Sequence, residues 1–477
     1  MTQQTTLRTY YLESNNNISF SVGTALAVRK YGSKLDFEHV FGRYKKRGVS
    51  ISRLLEALLT YRLTENQSTC KASDWINRPD VLSTFELEAF EERTLFRLLE
   101  TIGEHYEEII FAIQDIVFSI YDFPHTDTNL DWTSLVLWGK QAALGEYGYS
   151  RDHRPDKKQI TVGIAELASP INIPIGLTIQ PGNTNDQTHF EKTFLQAKRC
   201  LRPDSRVVFD KGAQSKATLE LVLASKMKYL SSKKLNSSDD KRIKEFDKTQ
   251  AELIDSEDGV YGVKIVYPSR IDYFYFSERL KKDQIEAKLR RAERTLLEAK
   301  EIQQALEKHK ELPKRFRINN PLVDVVYSYQ TKLSSMSEQD ALAVVQKAAL
   351  NGREGFFCLI SSENLTLPEA LRIYRMKDSI EKIFQSLKND IDIKPLRVWS
   401  TKSLYGAILV GFLAQLIISL MRYDYAELKH LSPKSIKISL MNLTVTTETD
   451  GNGMKRSIYS NFEPINTLIC VRKQAKT

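Results

Sequence analysis

The chain has 477 residues, more than one ordinary core holds, and its 42% apolar and 27% charged composition excludes overall disorder. Lys plus Arg number 69 against 60 Asp plus Glu, a formal charge of +9 that admits nucleic acid as a partner without establishing one. Four scattered cysteines, Cys70, Cys200, Cys358 and Cys470, form no Cys-x2-Cys pair, which argues against a zinc site or disulfide framework and fits a reducing cytoplasm.

Met1–Tyr11 is polar and lacks the apolar stretch of a signal peptide. From about 34 to 120 the spacing predicts helices, Ser52–Leu63 and Glu86–Tyr121 among them. Arg43-Tyr44-Lys45-Lys46-Arg47 gives this helical N-terminal domain, 1–120, a basic edge. That edge reads equally as a DNA-binding surface or as a solvated charge run. Strand patterns then begin. Leu135–Trp138, Gln159–Ile164 and Ile171–Ile179 are followed by a helix over Thr188–Cys200. Strand Arg206–Asp210, helix Ser215–Ser225 and strand Lys228–Leu230 complete the series, which predicts an α/β layer with a mixed sheet over 121–239.

Residues 240–355 interrupt this layer as an α+β insertion. They carry strands Ile265–Tyr267, Tyr273–Phe276 and Val323–Tyr329. A charged helix, Lys281–Lys310, has apolar residues spaced like a short coiled-coil seam. The layer resumes over 356–432, with a strand at Gly355–Ser361 and one long helix over Leu367–Asp390. Leu404–Met421 approaches the length of a membrane span. Gln415, Ser419 and the amphipathic helix before it predict a buried core helix, with no membrane partner. Residues 433–477 form a tail rich in Ser, Thr, Asn and Lys.

Three carboxylates stand where chemistry is expected. Asp210 ends a short apolar strand before Lys211-Gly212, and the carboxyl edge of a buried strand is where α/β sheets place their sites. Asp131 precedes an apolar run, with Asp127 as a competitor four residues earlier. On the helix Leu367–Asp390, Tyr374, Lys377, Glu381 and Lys388 are spaced by three, four and seven residues, which places them on one face. An isolated Lys377–Glu381 pair would be an ordinary surface ion pair. His125, His153 and His189 lie near these segments without the spacing of a metal signature.

The helical stripe resembles the Tyr-x2-Arg-x3-Glu-x6-Lys signature of DDE transposases in the insertion-sequence-four superfamily, with Lys377 in place of Arg. The run Gly148–Gln159, the turn Pro181-Gly182-Asn183-Thr184-Asn185-Asp186 and Asp210-Lys211-Gly212 resemble other family segments in the same order. The resemblance implies a ribonuclease-H-like mixed sheet flanked by helices, with Asp131, Asp210 and Glu381 as catalytic metal ligands. It implies two Mg²⁺ ions about 3.5–4 Å apart, with Mn²⁺ as a substitute, activating a nucleophile and stabilising a leaving oxygen. Tyr374, Lys377 and Lys388 would contact DNA phosphates. The partners implied are double-stranded DNA, at transposon ends and target, and a second copy of the chain on that DNA. The setting implied is a prokaryotic cytoplasm and its nucleoid. The implied activity is metal-dependent strand cleavage and strand transfer at terminal inverted repeats; a transposase-derived DNA-binding protein that no longer cuts is the alternative. Better-known relatives hold a flipped base on an aromatic of the insertion, often Trp. This insertion has no Trp, and its candidates are Tyr273, Tyr275, Phe276, Tyr327 and Tyr329.

Overall fold

The structure, a computed structural model, describes residues 19–45, 47–123, 127–138, 144–151, 154, 156–169, 171–308, 333–390, 400–449 and 455–471. After a short strand β1 (Ser19–Ser21), the N-terminal part is helical: α1 (Gly23–Lys34), α2 (Phe37–Gly42), α3 (Ile51–Leu63), α4 (Thr69–Ile76), α5 (Pro79–Phe85), α6 (Glu92–Glu104) and α7 (Tyr106–Ile120). Local chemistry sets the starts of these helices. Ser50 and Ser68 accept the backbone N–H of Arg53 and Lys71, and Pro79 occupies a first-turn position of α5. The apolar stripe of α6, Leu95, Leu98, Leu99 and Ile102, is buried.

The next strands are β2 (Thr128–Val136), β3 (Gln159–Leu167), β4 (Ile173–Pro181), β5 (Arg206–Phe209) and β6 (Lys228–Lys233). Helices α8 (Asp186–Lys198) and α9 (Lys216–Ala224) lie between β4 and β6 in sequence. A short helix, α10 (Asp240–Glu245), precedes β7 (Glu252–Asp255), β8 (Val260–Val266) and β9 (Ile271–Ser277). Then come the long α11 (Glu278–Glu307), α12 (Glu338–Ala349) and β10 (Phe356–Ser361). Among the described residues these strands form one sheet in the order β4-β3-β2-β5-β6-β10-β9-β8-β7. The pairs β2–β5 and β5–β6 are parallel and the rest antiparallel, so the sheet is mixed. With helices packed against it, it is consistent with the ribonuclease-H-like expectation. Strands β7–β9, from the segment expected as an insertion, extend this same sheet through β10. Val323–Tyr329 lies outside the described residues.

The single helix expected over Leu367–Asp390 is instead broken. α13 (Leu367–Met376) ends at Lys377, α14 (Asp378–Gln385) begins after it, and a wide π turn follows over Ser386–Asp390. At the junction, Lys377 N–H bonds Tyr374 O at 3.1 Å and Ile380 N–H bonds Lys377 O at 3.0 Å, three residues back rather than four. Nothing in local propensity breaks this helix. The cause is tertiary: Lys377 and Ser379 turn toward β2 and β3, as described below. α13 buries Leu367, Ala370, Leu371 and Ile373 on the face formed by β5, β6, β10, β9 and β8, which sets its last turn over the end of β5.

The apolar helix α15 (Thr401–Asp424) is long enough to cross a membrane, yet 89% of its most apolar window is buried inside the protein. It crosses α6 backbone to backbone. A Cβ on Gly406 would lie 2.0 Å from Leu99 O, and one on Gly103 would lie 1.8 Å from Lys402 O, so only glycine fits at either position. The last elements, α16 (Pro433–Asn442), β11 (Thr444–Thr449), β12 (Lys455–Ser460) and α17 (Pro464–Cys470), return to the N-terminal part. β11 pairs with β1, Ser19 facing Thr446, and α16 and α17 pack on α1.

Candidate active site

Two aspartates are brought together by strand register. The parallel pair β2–β5 sets Thr128 opposite Val207 and Asn129 opposite Val208. The same register carried two residues further puts Asp131 beside Asp210, on strands about 4.8 Å apart. Carried one residue the other way, it puts Asp127 beside Arg206, and these two form an ion pair at 2.7 Å. Arg206 also binds Glu363, so Asp127 belongs to a separate charge cluster. Burial still pushes the Asp127 carboxyl above its ordinary value, against the pull of Arg206.

Asp210 is held by three donors. Its Oδ1 accepts the Lys211 N–H at 2.8 Å, the Tyr374 hydroxyl at 3.0 Å and the Ser232 hydroxyl. Burial alone would raise its pKa. The bonds from Ser232 and the Lys211 N–H, the Lys377 ammonium and the Tyr374 hydroxyl outweigh burial and hold it below the usual aspartate value. Tyr374 is pushed upward by burial and by Asp210, so it remains a protonated donor. Lys377 Nζ lies 3.4 Å from Asp131 Oδ2, with the lysine side chain 8% and the aspartate 14% exposed. Asp131 Oδ1 also accepts the N–H of Trp132 at 2.9 Å.

The helix break makes this arrangement. α13 delivers Tyr374 to Asp210, and the junction delivers Lys377 to Asp131. Glu381 lies on α14 one turn beyond Lys377 and is exposed, and among the described residues its carboxylate has no hydrogen bond or ion pair. Lys388 sits half-buried in the π turn. The structure thus joins Lys377 to Asp131 and Tyr374 to Asp210 on neighbouring strands, and leaves Glu381 outside both contacts. Among the described residues, no three carboxylate, imidazole or thiolate groups converge closely enough to hold one ion.

Sequence reading placed Asp186 in a turn and gave it no role. It opens α8 beside the pair, bound to Arg151 at 2.8 Å and facing Gly212. Burial first, and then the fields of Asp131 and Asp210, push its pKa up against Arg151. The Pro181–Asp186 motif was the available signal. The atoms that Asp131, Asp210 and Asp186 could offer a metal are carboxylate oxygens, the ligand type a hard divalent cation takes. A cleft of about 730 Å³ opens at Asp210 and Tyr374. Among the described residues, its Lys211 and Lys234 make no ion pair, whereas Arg279, Lys288, Arg353 and Arg375 are bound to carboxylates.

Three of the aromatic candidates for holding a base are committed elsewhere. Tyr273, Tyr275 and Phe276 are buried in the sheet, and the two hydroxyls donate to Glu363 O and Leu367 O at 2.8 and 2.7 Å. Tyr327 and Tyr329 lie outside the described residues, as do His125 and His153. His189 is buried between Thr161 and Thr178, and burial pushes it down to about 3, so it is neutral.

A family model described as Transposase DDE domain matches residues 124–417. No curated protein matches the chain. Among solved structures, a piggyBac transposase synaptic complex with hairpin DNA, determined by cryo-EM, is similar at 11% identity and a TM-score of 0.42, over 88% of this chain and 79% of that one.

Proposed function

We propose, from the premise that this chain belongs to the Transposase DDE domain family, that it is the transposase of an insertion sequence of the insertion-sequence-four kind. It binds the terminal inverted repeats of its element and carries out divalent-metal-dependent strand cleavage and strand transfer. The observation that carries this reading is the pair Asp131 and Asp210, aligned on neighbouring parallel strands and compensated by Lys377.

Asp131 and Asp210 are the residues to hold Mg²⁺, with Glu381 completing the set from α14. When bound, two such ions supply charge stabilisation at the attacking and leaving oxygens of phosphoryl transfer. The chain's own groups prepare the site. Ser232, the Lys211 N–H and Tyr374 keep Asp210 ionised at neutral pH. Lys377 neutralises the adjacent carboxylates until cations and DNA arrive, and then becomes available to a phosphate, as Lys388 is proposed to do from the π turn. Lys211 and Lys234, which form no ion pair among the described residues, offer charge for the DNA backbone along the cleft. The N-terminal helices supply end recognition, and two copies act together on a pair of ends.

The test is Mg²⁺-dependent nicking of duplexes carrying the DNA that flanks the gene. Asp131→Asn and Asp210→Asn are expected to abolish nicking while Asp127→Asn retains it, with melting curves confirming that all three fold. Loss in Asp127→Asn with activity in Asp131→Asn would overturn the assignment. A folded wild type that binds these ends without nicking them would support the non-cutting alternative.

A further inference from the structure

Glu166, on β3, is fully buried, opposite Asn129 of β2 and away from the surface of the site. Its Oε1 lies 2.5 Å from Asn172 Nδ2, 2.5 Å from Ser379 Oγ and 3.5 Å from Asn129 Nδ2. Ser379 stands in the first turn of α14, two residues after Lys377.

The hydrogens in this cluster do not add up if Glu166 is ionised. Ser379 has one hydroxyl proton but two oxygens to give it to, Met376 O at 2.7 Å and Glu166 Oε1 at 2.5 Å. Asn129 Nδ2, at 3.3 Å, donates to the same hydroxyl and so does not supply the missing proton. Among the described residues, Glu166 Oε2 and Asn129 Oδ1 are buried acceptors without a hydrogen-bond partner. The cluster has a surplus of acceptors, and burying them unmatched is costly. One proton on Glu166 reduces the surplus: on Oε1 it is donated to Ser379, whose own proton then goes to Met376 O.

Neighbouring charge does not substitute for that proton. The fields of Lys377 and Arg422 reach Glu166, but Lys377 is paired with Asp131; Arg422 gives Nη2 to Lys429 O at 2.7 Å, and its buried Nε–H bonds nothing among the described residues, Glu166 included. Among the described residues neither cation forms an ion pair with Glu166. We propose that Glu166 is a positioning residue, buried as a neutral carboxylic acid that clamps the α13–α14 bend through Ser379 and so aims Lys377 at the aspartates. Burial pushing its carboxyl up to about 7, against the hydrogen bonds from Asn172, Ser379 and Asn129, agrees with this state. The sign follows: a raised carboxyl stabilises the fold below its unfolded value, and that contribution is lost as pH rises through about 7. The proposal rests on Asp131 and Asp210 being the catalytic pair.

The experiment compares wild type, Glu166→Gln and Glu166→Leu as full chains. Glutamine reproduces the neutral acid, with one donor and one acceptor face, whereas leucine fills the space without either. The infrared difference between wild type and Glu166→Gln is expected to show a protonated carboxylic C=O stretch below neutral pH that fades above it. Glu166→Gln is expected to nick end DNA as wild type does, to keep its rate where wild type declines above neutrality, and to keep its melting temperature where that of wild type falls between the unfolded carboxyl value and about 7. Glu166→Leu is expected to nick about tenfold more slowly while still folded, the effect of losing one buried hydrogen bond. Absence of the infrared band, or a Glu166→Gln rate as low as that of Glu166→Leu, would overturn the proposal. If wild type does not nick DNA, the proposed function fails, and the infrared band together with the melting curves still decides the state of Glu166.

Discussion

Replacing Lys377 with Met keeps the length of the side chain and removes its charge from between two acidic strands. At the observed 3.4 Å from Asp131, an effective dielectric constant of about 20 gives an attraction of about 5 kcal/mol. Returning the ammonium to water in the unfolded state recovers part of this, so the expected loss of folding stability is about 2–3 kcal/mol. Urea unfolding in EDTA at neutral pH measures it. The loss should shrink in excess Mg²⁺, because a cation bound to the native carboxylates replaces the missing charge. It should also shrink in acid. Asp210, held below its ordinary value, contributes stability above the unfolded aspartate value and loses it as pH falls through its folded one. A Lys377→Met protein as stable as wild type in EDTA would refute the view that this lysine compensates the pair. A deficit indifferent to Mg²⁺ would refute the cation-binding role of the two aspartates.

Tyr374→Phe removes one donor from Asp210, so the acid limb of the nicking profile should move to higher pH, with a rate loss of about tenfold at the old limb; an unmoved limb would show that the hydroxyl does not act on Asp210. Gly406→Ala should cost about 2–3 kcal/mol in chemical denaturation, because its Cβ would strike the Leu99 carbonyl; a neutral result would mean that α6 and α15 separate more easily than their backbone contact implies.

Much of the sheet was legible because its strands are short, apolar and bounded by turns. Arg206–Asp210 reads as a strand from Val207, Val208 and Phe209 alone, and the structure ends β5 one residue earlier. The choice between Asp127 and Asp131 was not legible. Both lie near the start of the same strand, and only the long-range register with β5 gives one to Arg206 and the other to Asp210. The break at Lys377 was hidden for a related reason. Every residue from Tyr374 to Gln385 tolerates a helix, and what bends the chain is contact with Asp131 and Glu166, more than two hundred residues away. The regular stripe of Tyr374, Lys377 and Glu381, spaced as on one unbroken helix, therefore misplaced the geometry: Tyr374 and Lys377 reach the two aspartates and Glu381 does not. Glu166 gave no signal, since a lone carboxylate in a strand reads as a solvated position. Strands β7–β9 read as a separate insertion because the pairing of β9 with β10 spans residues far apart in sequence. The polar tail was legible only by its composition and short strand-like runs, and the pairing of its β11 with β1 was hidden because β1 lies at the other end of the chain.

The crossing of α6 and α15 limits where the chain can be cut. The stretch shared with the family, residues 124–417, stops inside α15 and excludes α6, whose backbone touches it. Cut out at those limits, the shared stretch would present to water the face of α15 that Leu95, Leu98 and Leu99 now shelter. The span that matches the family model is thus smaller than the unit that packs together in this chain.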